Sequence, residues 1–151
     1  MTDILAHNAV RLPATPEAVD AVHGQLERLW EQADFVPDLD RMAFETAVVE
    51  AASNAVRHAV AEEGAVVEVG VEATVTRSRL VARICEYGAV VPDPDPTVIA
   101  SVEADDLPDD SAESGRGMAL IRALVTTLSF ERHEGTNIWT LTRDADGEAR
   151  E

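Results

Sequence analysis

Three polar side chains recur at regular spacing in an otherwise apolar stretch, VVEAASNAVRHA (48–59). Glu50, Asn54 and His58 follow one another every four residues, which places neighbouring members on successive turns of one helix face. The amide oxygen of Asn54 is a hard ligand of the type that Mg²⁺ prefers, and Mg²⁺ often binds jointly with substrate phosphates. The carboxylate of Glu50 is suited to accept a proton from a nucleophile that attacks a phosphate. Without further motifs, a polar pair satisfied at a helix surface is the favoured interpretation.

A second motif, Gly115-Arg116-Gly117-Met118, follows a long acidic segment and is predicted to stand directly at the start of a helix. Exposed backbone N–H groups at a helix N-terminus bind phosphates, and glycine permits a close approach. The same residues are compatible with a plain loop-to-helix turn, so both interpretations stay open.

Two shorter motifs stand at the ends of predicted strands. In Glu86-Tyr87-Gly88, the carboxylate is suited to accept a hydrogen bond from an exocyclic amine such as that of adenine, and Gly88 would let a flat ring approach the backbone. Gly135-Thr136 enters the last predicted strand, where the Thr136 hydroxyl could meet a base or a water. Taken alone, each motif is better explained by an ordinary turn or strand residue.

Two helices are predicted in the first half of the chain. Apolar residues at three- and four-residue steps indicate a first helix over 16–33, with Thr15 as its N-cap. A second helix begins at Asp38 or Asp40 and ends at about Val60, before Gly64. This second helix carries the polar trio.

The remaining elements are mostly strands, because apolar and polar residues alternate with a period of two. Clustered strand pairs rather than alternating βαβ units favour an α+β fold, a two-layer sandwich with a mostly antiparallel sheet and helices on one face. The predicted elements are an edge strand over 8–12, a hairpin of strands 66–75 and 79–86, a helix over 114–128, and strands 129–133 and 136–143.

Composition limits the class of protein. The 151 residues suit one domain, 1–151, and the net charge of −17, with every basic residue an arginine, disfavours direct binding of nucleic acid. Such a charge either attracts a basic protein or simply confers solubility. The single cysteine, Cys85, excludes an intrachain disulfide. With no secretory signal and no long apolar run, we expect a cytoplasmic protein that does not enter a membrane.

Two segments differ from the rest. Residues 91–113 are acidic and proline-rich and contain no basic residue, which is typical of either a long solvated loop or a mobile lid over a binding site. Residues 144–151 are charged and are expected to fray.

Together and in this order, the four motifs resemble those of the GHKL ATPase superfamily, and more narrowly the small anti-sigma-factor serine kinases among the histidine-kinase-like ATPases. The resemblance runs from residue 8 to residue 143. It rests on E-AAS-N-A (50–55), E-Y-G-A-V (86–90), G-R-G-M (115–118) and G-T (135–136).

The resemblance implies a role for each residue of the motifs. Glu50 would be the general base and Asn54 a ligand of the Mg²⁺ that accompanies ATP. The other implied nucleotide contacts are His58 on the same helix, Glu86 and Gly88 at the adenine, Gly115, Arg116, Gly117 and Met118 at the phosphates, and Thr136 in the adenine pocket.

The implied activity is that of a protein serine kinase that uses ATP to phosphorylate an anti-sigma-factor antagonist and also sequesters a sigma factor, with a homodimer as the implied assembly. Two positions depart from the family pattern: Glu86 replaces an aspartate, and Val90 replaces a glycine. The longer side chain of Glu86 would make the adenine pocket tighter, and the β-branched Val90 is a poor substitute for glycine at a flexible lid hinge. A second hypothesis is therefore a module of the same fold that holds a partner protein with weak or no ATP binding.

Overall fold

The computed structural model describes residues 3–92 and 112–144, apart from the side chains of 112–116. Within these residues the chain forms three helices and five strands. Their bounds are β1 Ile4–Pro13, α1 Pro16–Gln32, α2 Asp38–His58, β2 Glu68–Thr76, β3 Arg79–Tyr87, α3 Ala112–Leu124, β4 Thr127–His133 and β5 Thr136–Asp144.

The five strands form one sheet in the order β1-β2-β3-β5-β4, and every neighbouring pair is antiparallel. The helices pack on one face of this sheet and share one apolar core with it. The predicted two-layer α+β sandwich is confirmed. The register of β3 with β5 places Glu86 opposite Asn137, and this pairing matters for the site described below.

Alternation along the strands separates the two faces of the sheet. On β3, Leu80, Ala82 and Ile84 are fully buried under the helices, and the residues between them point to the other face. Glu86 continues this inward series at the end of the strand. The Glu86 carboxylate therefore lies on the same face of β3 as the core residues, at the end of the strand.

The alanines of α2 explain its apolar character. Ala47, Ala51 and Ala55 are buried at four-residue spacing in the shared core, where a small side chain lets the helix lie close to the sheet. Glu50 and Asn54 each follow one of these alanines by three residues, so they lie on the flank of the buried stripe. That flank faces α3.

Helix α2 ends at His58, close to the predicted end at about Val60 and before Gly64. The predicted bounds of the last helix were wrong, because α3 spans Ala112–Leu124 rather than 114–128. The cause at the far end of α3 is sheet pairing, because Thr127 and Leu128 pair with residues of β5 and cannot continue the helix. Arg143 of β5 also donates a hydrogen bond to the carbonyl of Leu124, at 2.6 Å, and so caps the last turn of α3.

The predicted lid, 91–113, lies outside the described residues except at its two ends. Val91 and Pro92 precede the gap, whereas Ala112 and Glu113 already belong to α3. The predicted tail lies outside them too, apart from Asp144, which is the last residue of β5. Among the described helices, none has the length and apolarity needed to cross a membrane.

Candidate functional site

Glu50 and Asn54 meet α3 at a single point, Gly117. A Cβ atom added to Gly117 would lie 2.9 Å from Glu50 Oε2 and 3.2 Å from Asn54 Oδ1. Since Cβ atoms essentially never approach another heavy atom within 3.0 Å, only glycine fits at this position without a shift. The structure thus brings two motifs that are distant in sequence into direct contact.

Arg57 completes this cluster. Its Nη2 donates to Asn54 Oδ1 at 2.8 Å and lies 3.3 Å from Glu50 Oε2. Arg57 was not among the residues predicted for the site, although its spacing contained the signal. A residue three positions after Asn54 and seven after Glu50 shares their helix face.

The predicted helix start at Gly115 was wrong. Helix α3 already includes Ala112, so Gly117 and Met118 lie in its second turn. A backbone N–H beyond the first turn of a helix donates to the carbonyl four residues earlier, so the N–H groups of these two residues are engaged inside the helix. Met118 is half-buried and packs against the core. The side chain of Arg116 lies outside the described residues.

Glu86 is a buried carboxyl held by two side chains of β5. It is only 6% exposed, and its oxygens accept hydrogen bonds from Asn137 Nδ2 at 2.9 Å and Trp139 Nε1 at 3.2 Å. Burial raises the pKa of Glu86 above its usual value, and the two hydrogen bonds oppose that rise. Glu86 therefore lies on the helix side of the sheet, where it would have to lie to bind a ligand between the sheet and the helices. Its carboxylate, however, already has hydrogen-bond partners within the protein.

Asn137 extends this network to the segment that follows β3. Its Nδ2 also donates to the carbonyl of Val90 at 2.8 Å, and its Oδ1 accepts from Arg132 Nη1 at 2.7 Å. Arg132 Nη1 also donates to the carbonyl of Ala89, at 2.8 Å. Asn137 was not among the residues predicted for the site. Asparagine is depleted in strands, so one inside β5 signals a polar partner.

Gly88 is required by the backbone of the turn after β3. Its φ of +78° is in the left-handed region, and an added Cβ would lie 3.0 Å from the carbonyl oxygen of Val66. The carbonyl of Gly88 accepts a hydrogen bond from the N–H of Glu62 at 2.8 Å. This turn explains the glycine without a ligand, and the predicted approach of a flat ring stays a prediction.

The structure does not bring Thr136 together with Glu86. Thr136 pairs with Tyr87, and the alternation of β5 turns both away from the helices. Thr136 lines a depression on the outer face of the sheet, together with Arg11, Tyr87 and Arg83. The position on β5 that faces Glu86 is occupied by Asn137. His58, the last residue of α2, is exposed one turn beyond Asn54.

The cluster at Gly117 fits a magnesium ion in part. Glu50 Oε2 and Asn54 Oδ1 both lie beside Gly117, with Asn54 Nδ2 slightly nearer to it than Oδ1, and both oxygens are hard donors of the type that Mg²⁺ prefers. Within residues 3–92 and 112–144, no group of three or more His, Cys, Asp or Glu side chains could hold a metal. These residues would therefore hold Mg²⁺ only together with water and the phosphates of a substrate, which is how this ion is usually bound.

Comparison with known proteins assigns the family. The profile of the histidine kinase-like ATPase domain matches residues 12–143, and the chain belongs to this family. The resemblance to GHKL ATPases is thereby confirmed, and membership in an ATPase family implies ATP as the ligand. No curated protein matches the chain.

Two solved structures are similar to the chain. One contains the RsbU and RsbW domains of Rv1364c from Mycobacterium tuberculosis, with 20% identity, a TM-score of 0.61, and coverage of 91% of this chain and 32% of that one. The protein thus spans about a third of the chain in that structure, and the matched part shares its fold. The other is the histidine kinase AdeS of Acinetobacter baumannii, with 16% identity, a TM-score of 0.47, and coverage of 93% and 68%.

Proposed function

We propose that this protein is an ATP-binding anti-sigma factor that phosphorylates a serine of an anti-sigma-factor antagonist and sequesters a sigma factor. The observation that carries the proposal is the convergence of Glu50 and Asn54 on Gly117 of α3. It places a carboxylate and an amide oxygen side by side at the contact between α2 and α3. The narrower identity, a serine kinase with these partners, rests on the resemblance of the motifs.

Each residue of the cluster has a role in this proposal. Asn54 Oδ1 would hold Mg²⁺, and Glu50 would accept the proton of the attacking serine hydroxyl as the general base. When bound, Mg²⁺ neutralises negative charge on the transferring phosphoryl group. Helix α2 is anchored in the core through its alanines, so both side chains start from a rigid backbone.

Helix α3 must rearrange for phosphates to enter. Gly117 touches Glu50 and Asn54 directly, and its N–H lies within the helical hydrogen-bond ladder. Each glycine inside a helix costs about 1 kcal/mol relative to alanine. Gly115 and Gly117 therefore weaken the first turns of α3, and we propose that unwinding there frees the backbone N–H groups for phosphates.

The adenine would be read by Glu86. Although Asn137 and Trp139 already donate to it, each carboxylate oxygen has two lone pairs and can accept a further hydrogen bond from an exocyclic amine. The two β5 side chains would then orient the carboxylate. The second candidate function, a partner-binding module without nucleotide, is favoured by the same observation, because the buried Glu86 is satisfied without a ligand.

The partner proteins follow from charge and from the resemblance. A net charge of −17 suits a basic partner, as a protein that normally meets nucleic acid would be. Transcription takes place in the cytoplasm of a bacterium, so a cytoplasmic location is part of the proposal, as is a homodimer.

Calorimetry with ATP and Mg²⁺ tests the proposal. We expect binding by the wild type, loss of at least tenfold in affinity in Asn54→Ala, and little change in Thr140→Ala, which alters the outer face of the sheet. Absence of binding heat in the wild type would sink the kinase hypothesis and favour the partner-binding module. If ATP binds, transfer of labelled phosphate to candidate antagonist proteins decides the kinase activity.

A further inference from the structure

Three large apolar side chains are exposed at the corner between α1 and α2. Phe35, Leu39 and Met42, which we call the corner patch, are 48%, 72% and 68% exposed. Single apolar residues are common on protein surfaces, whereas a group of them in one short stretch of chain marks an interaction surface. Leu39 and Met42 are three positions apart and so share one face of α2, while the buried side of that helix begins with Ala43 and Phe44.

Acidic residues accompany the corner patch. Residues 31–45 contain five acidic residues and one basic residue, Arg41, which pairs with Asp38. Glu31 and Asp34 are exposed at the C-terminal end of α1, whose last turn holds no basic residue. The helix dipole is negative at that end and disfavours carboxylates there, so local helix stability does not account for them. They concentrate negative charge beside the exposed apolar side chains.

We propose that the corner patch is a docking surface for a basic amphipathic helix of a partner protein. The apolar face of such a helix would pack on the corner patch, and its arginines or lysines would face Glu31 and Asp34. The inference goes beyond the proposed function and does not rest on it. Leu39 and Asn54 lie about 22 Å apart along α2, so partner docking and nucleotide binding would use separate parts of the helix.

Charge favours a basic protein over the other occupants of this surface. A second copy of the chain carries the same net charge of −17 and would bring like charges together, and an anionic membrane would also be repelled. Within the chain itself, residues 93–111 contain no basic residue and residues 145–151 no large apolar one, so neither segment matches the patch. A basic amphipathic helix matches both the apolar side chains and the carboxylates.

A synthetic peptide is the probe for the first test. It consists of leucine and lysine, with the leucines at three- and four-residue spacing so that they share one helix face, and a scrambled peptide of the same composition lacks that face. Fluorescence anisotropy measures the binding of each labelled peptide to the full chain. We expect the amphipathic peptide to bind about tenfold more tightly than the scrambled one. Equal affinities would show that net charge alone attracts the peptides and would overturn the proposal.

The double variant Leu39→Gln, Met42→Gln tests the corner patch directly. Both side chains are exposed, so the circular dichroism spectrum and the unfolding midpoint should match those of the wild type. We expect its affinity for the amphipathic peptide to fall about tenfold. Val66→Gln is the matched control, because Val66 is 79% exposed in the loop before β2 and should leave the affinity unchanged. No loss in the double variant, or an equal loss in Val66→Gln, would overturn the proposal.

The double variant Glu31→Gln, Asp34→Asn tests the carboxylates. Its peptide affinity should fall about three- to tenfold, while its unfolding midpoint should stay constant or rise, because two acids leave the negative end of α1. Glu63→Gln with Glu131→Gln removes the same charge from exposed positions elsewhere and should change the affinity less than about twofold. Equal losses of affinity in the two double variants would contradict docking at the corner.

Two further measurements test the other occupants. Analytical ultracentrifugation should show the same self-association for the wild type and for Leu39→Gln, Met42→Gln, and flotation with vesicles of phosphatidylcholine and phosphatidylserine should show no binding by either protein. Self-association or vesicle binding that the wild type shows and the double variant loses would assign the corner patch to a second copy or to a membrane. Either result would overturn the proposal.

Discussion

The contact of Gly117 with Glu50 and Asn54 predicts an unusual sign for the change in stability caused by Gly117→Ala. Replacement of a glycine inside a helix by alanine ordinarily stabilises a protein by about 1 kcal/mol. At Gly117 the added carbon would lie 2.9 Å from Glu50 Oε2 and 3.0 Å from Asn54 Nδ2. Such overpacking costs about 1–3 kcal/mol. Gly117→Ala should therefore lower the free energy of unfolding by about 0–2 kcal/mol instead of raising it.

Gly24→Ala is the matched control, because Gly24 also lies inside a helix. There the added carbon would approach only the far end of a flexible side chain, Arg28 Nη1, at 3.4 Å. We expect this variant to be about 0.5–1 kcal/mol more stable than the wild type. Urea unfolding followed by circular dichroism should then separate Gly117→Ala from Gly24→Ala by about 0.5–3 kcal/mol.

A third variant identifies the atoms responsible. In a background that carries Glu50→Ala and Asn54→Ala, all three atoms that approach the added carbon are gone, and Gly117→Ala should become as stabilising as Gly24→Ala. Equal stabilisation by Gly117→Ala and Gly24→Ala in the wild-type background would refute the reasoning. It would mean that α3 does not rest on Glu50 and Asn54.

Three further predictions concern the network at β5. Burial raises the pKa of Glu86, so the folded state binds its proton more tightly than the unfolded state does. The stabilisation from the Glu86 carboxyl is fully present below its unfolded pKa of about 4.5 and is lost as the pH rises through the folded pKa. The free energy of unfolding of Glu86→Gln, relative to that of the wild type, should therefore rise between pH 4.5 and pH 7.5. A difference between the two proteins that does not change with pH would contradict this. Asn137→Ala removes hydrogen bonds inside the core and should lower the free energy of unfolding by about 2–4 kcal/mol, against less than about 1 kcal/mol for Thr140→Ala, as measured by urea unfolding. Arg143→Met should lower the free energy of unfolding by about 1–3 kcal/mol, because the half-buried guanidinium of Arg143 caps α3. Arg79→Met breaks an exposed ion pair and should lower it by less than about 1 kcal/mol. Equal shifts of the thermal unfolding midpoint in the two variants would count against the cap.

The elements of the fold follow largely from local patterns. The strict alternation of β2 and β3 and the three- and four-residue steps of α1 result from the geometry of a single strand or helix, so neighbouring residues suffice to predict them. The end of α3 does not follow in this way. Thr127 and Leu128 continue an apolar helical pattern in the sequence, and only their pairing with β5 makes them part of a strand.

The candidate site also contains residues that local spacing predicts and residues that it does not. The spacing of Glu50, Asn54 and Arg57 lies within one helix, so the sequence contains their common face, including the arginine that was overlooked. The choice of Asn137 over Thr136 as the neighbour of Glu86 depends on the register between two strands that are far apart in the chain. A shift of one residue in that register would exchange the two side chains between the faces of the sheet.

The sequence by itself determined the family, the elements and the polar face of α2, because motifs and periodicity are properties of short segments. Only the tertiary structure decided that Gly117 rests on Glu50 and Asn54, that α3 already includes the residues before Gly115, and that Glu86 is satisfied by β5. These contacts depend on how close two elements approach and which face each turns inward. Packing of the whole core sets both distances and faces, and no short segment contains that information.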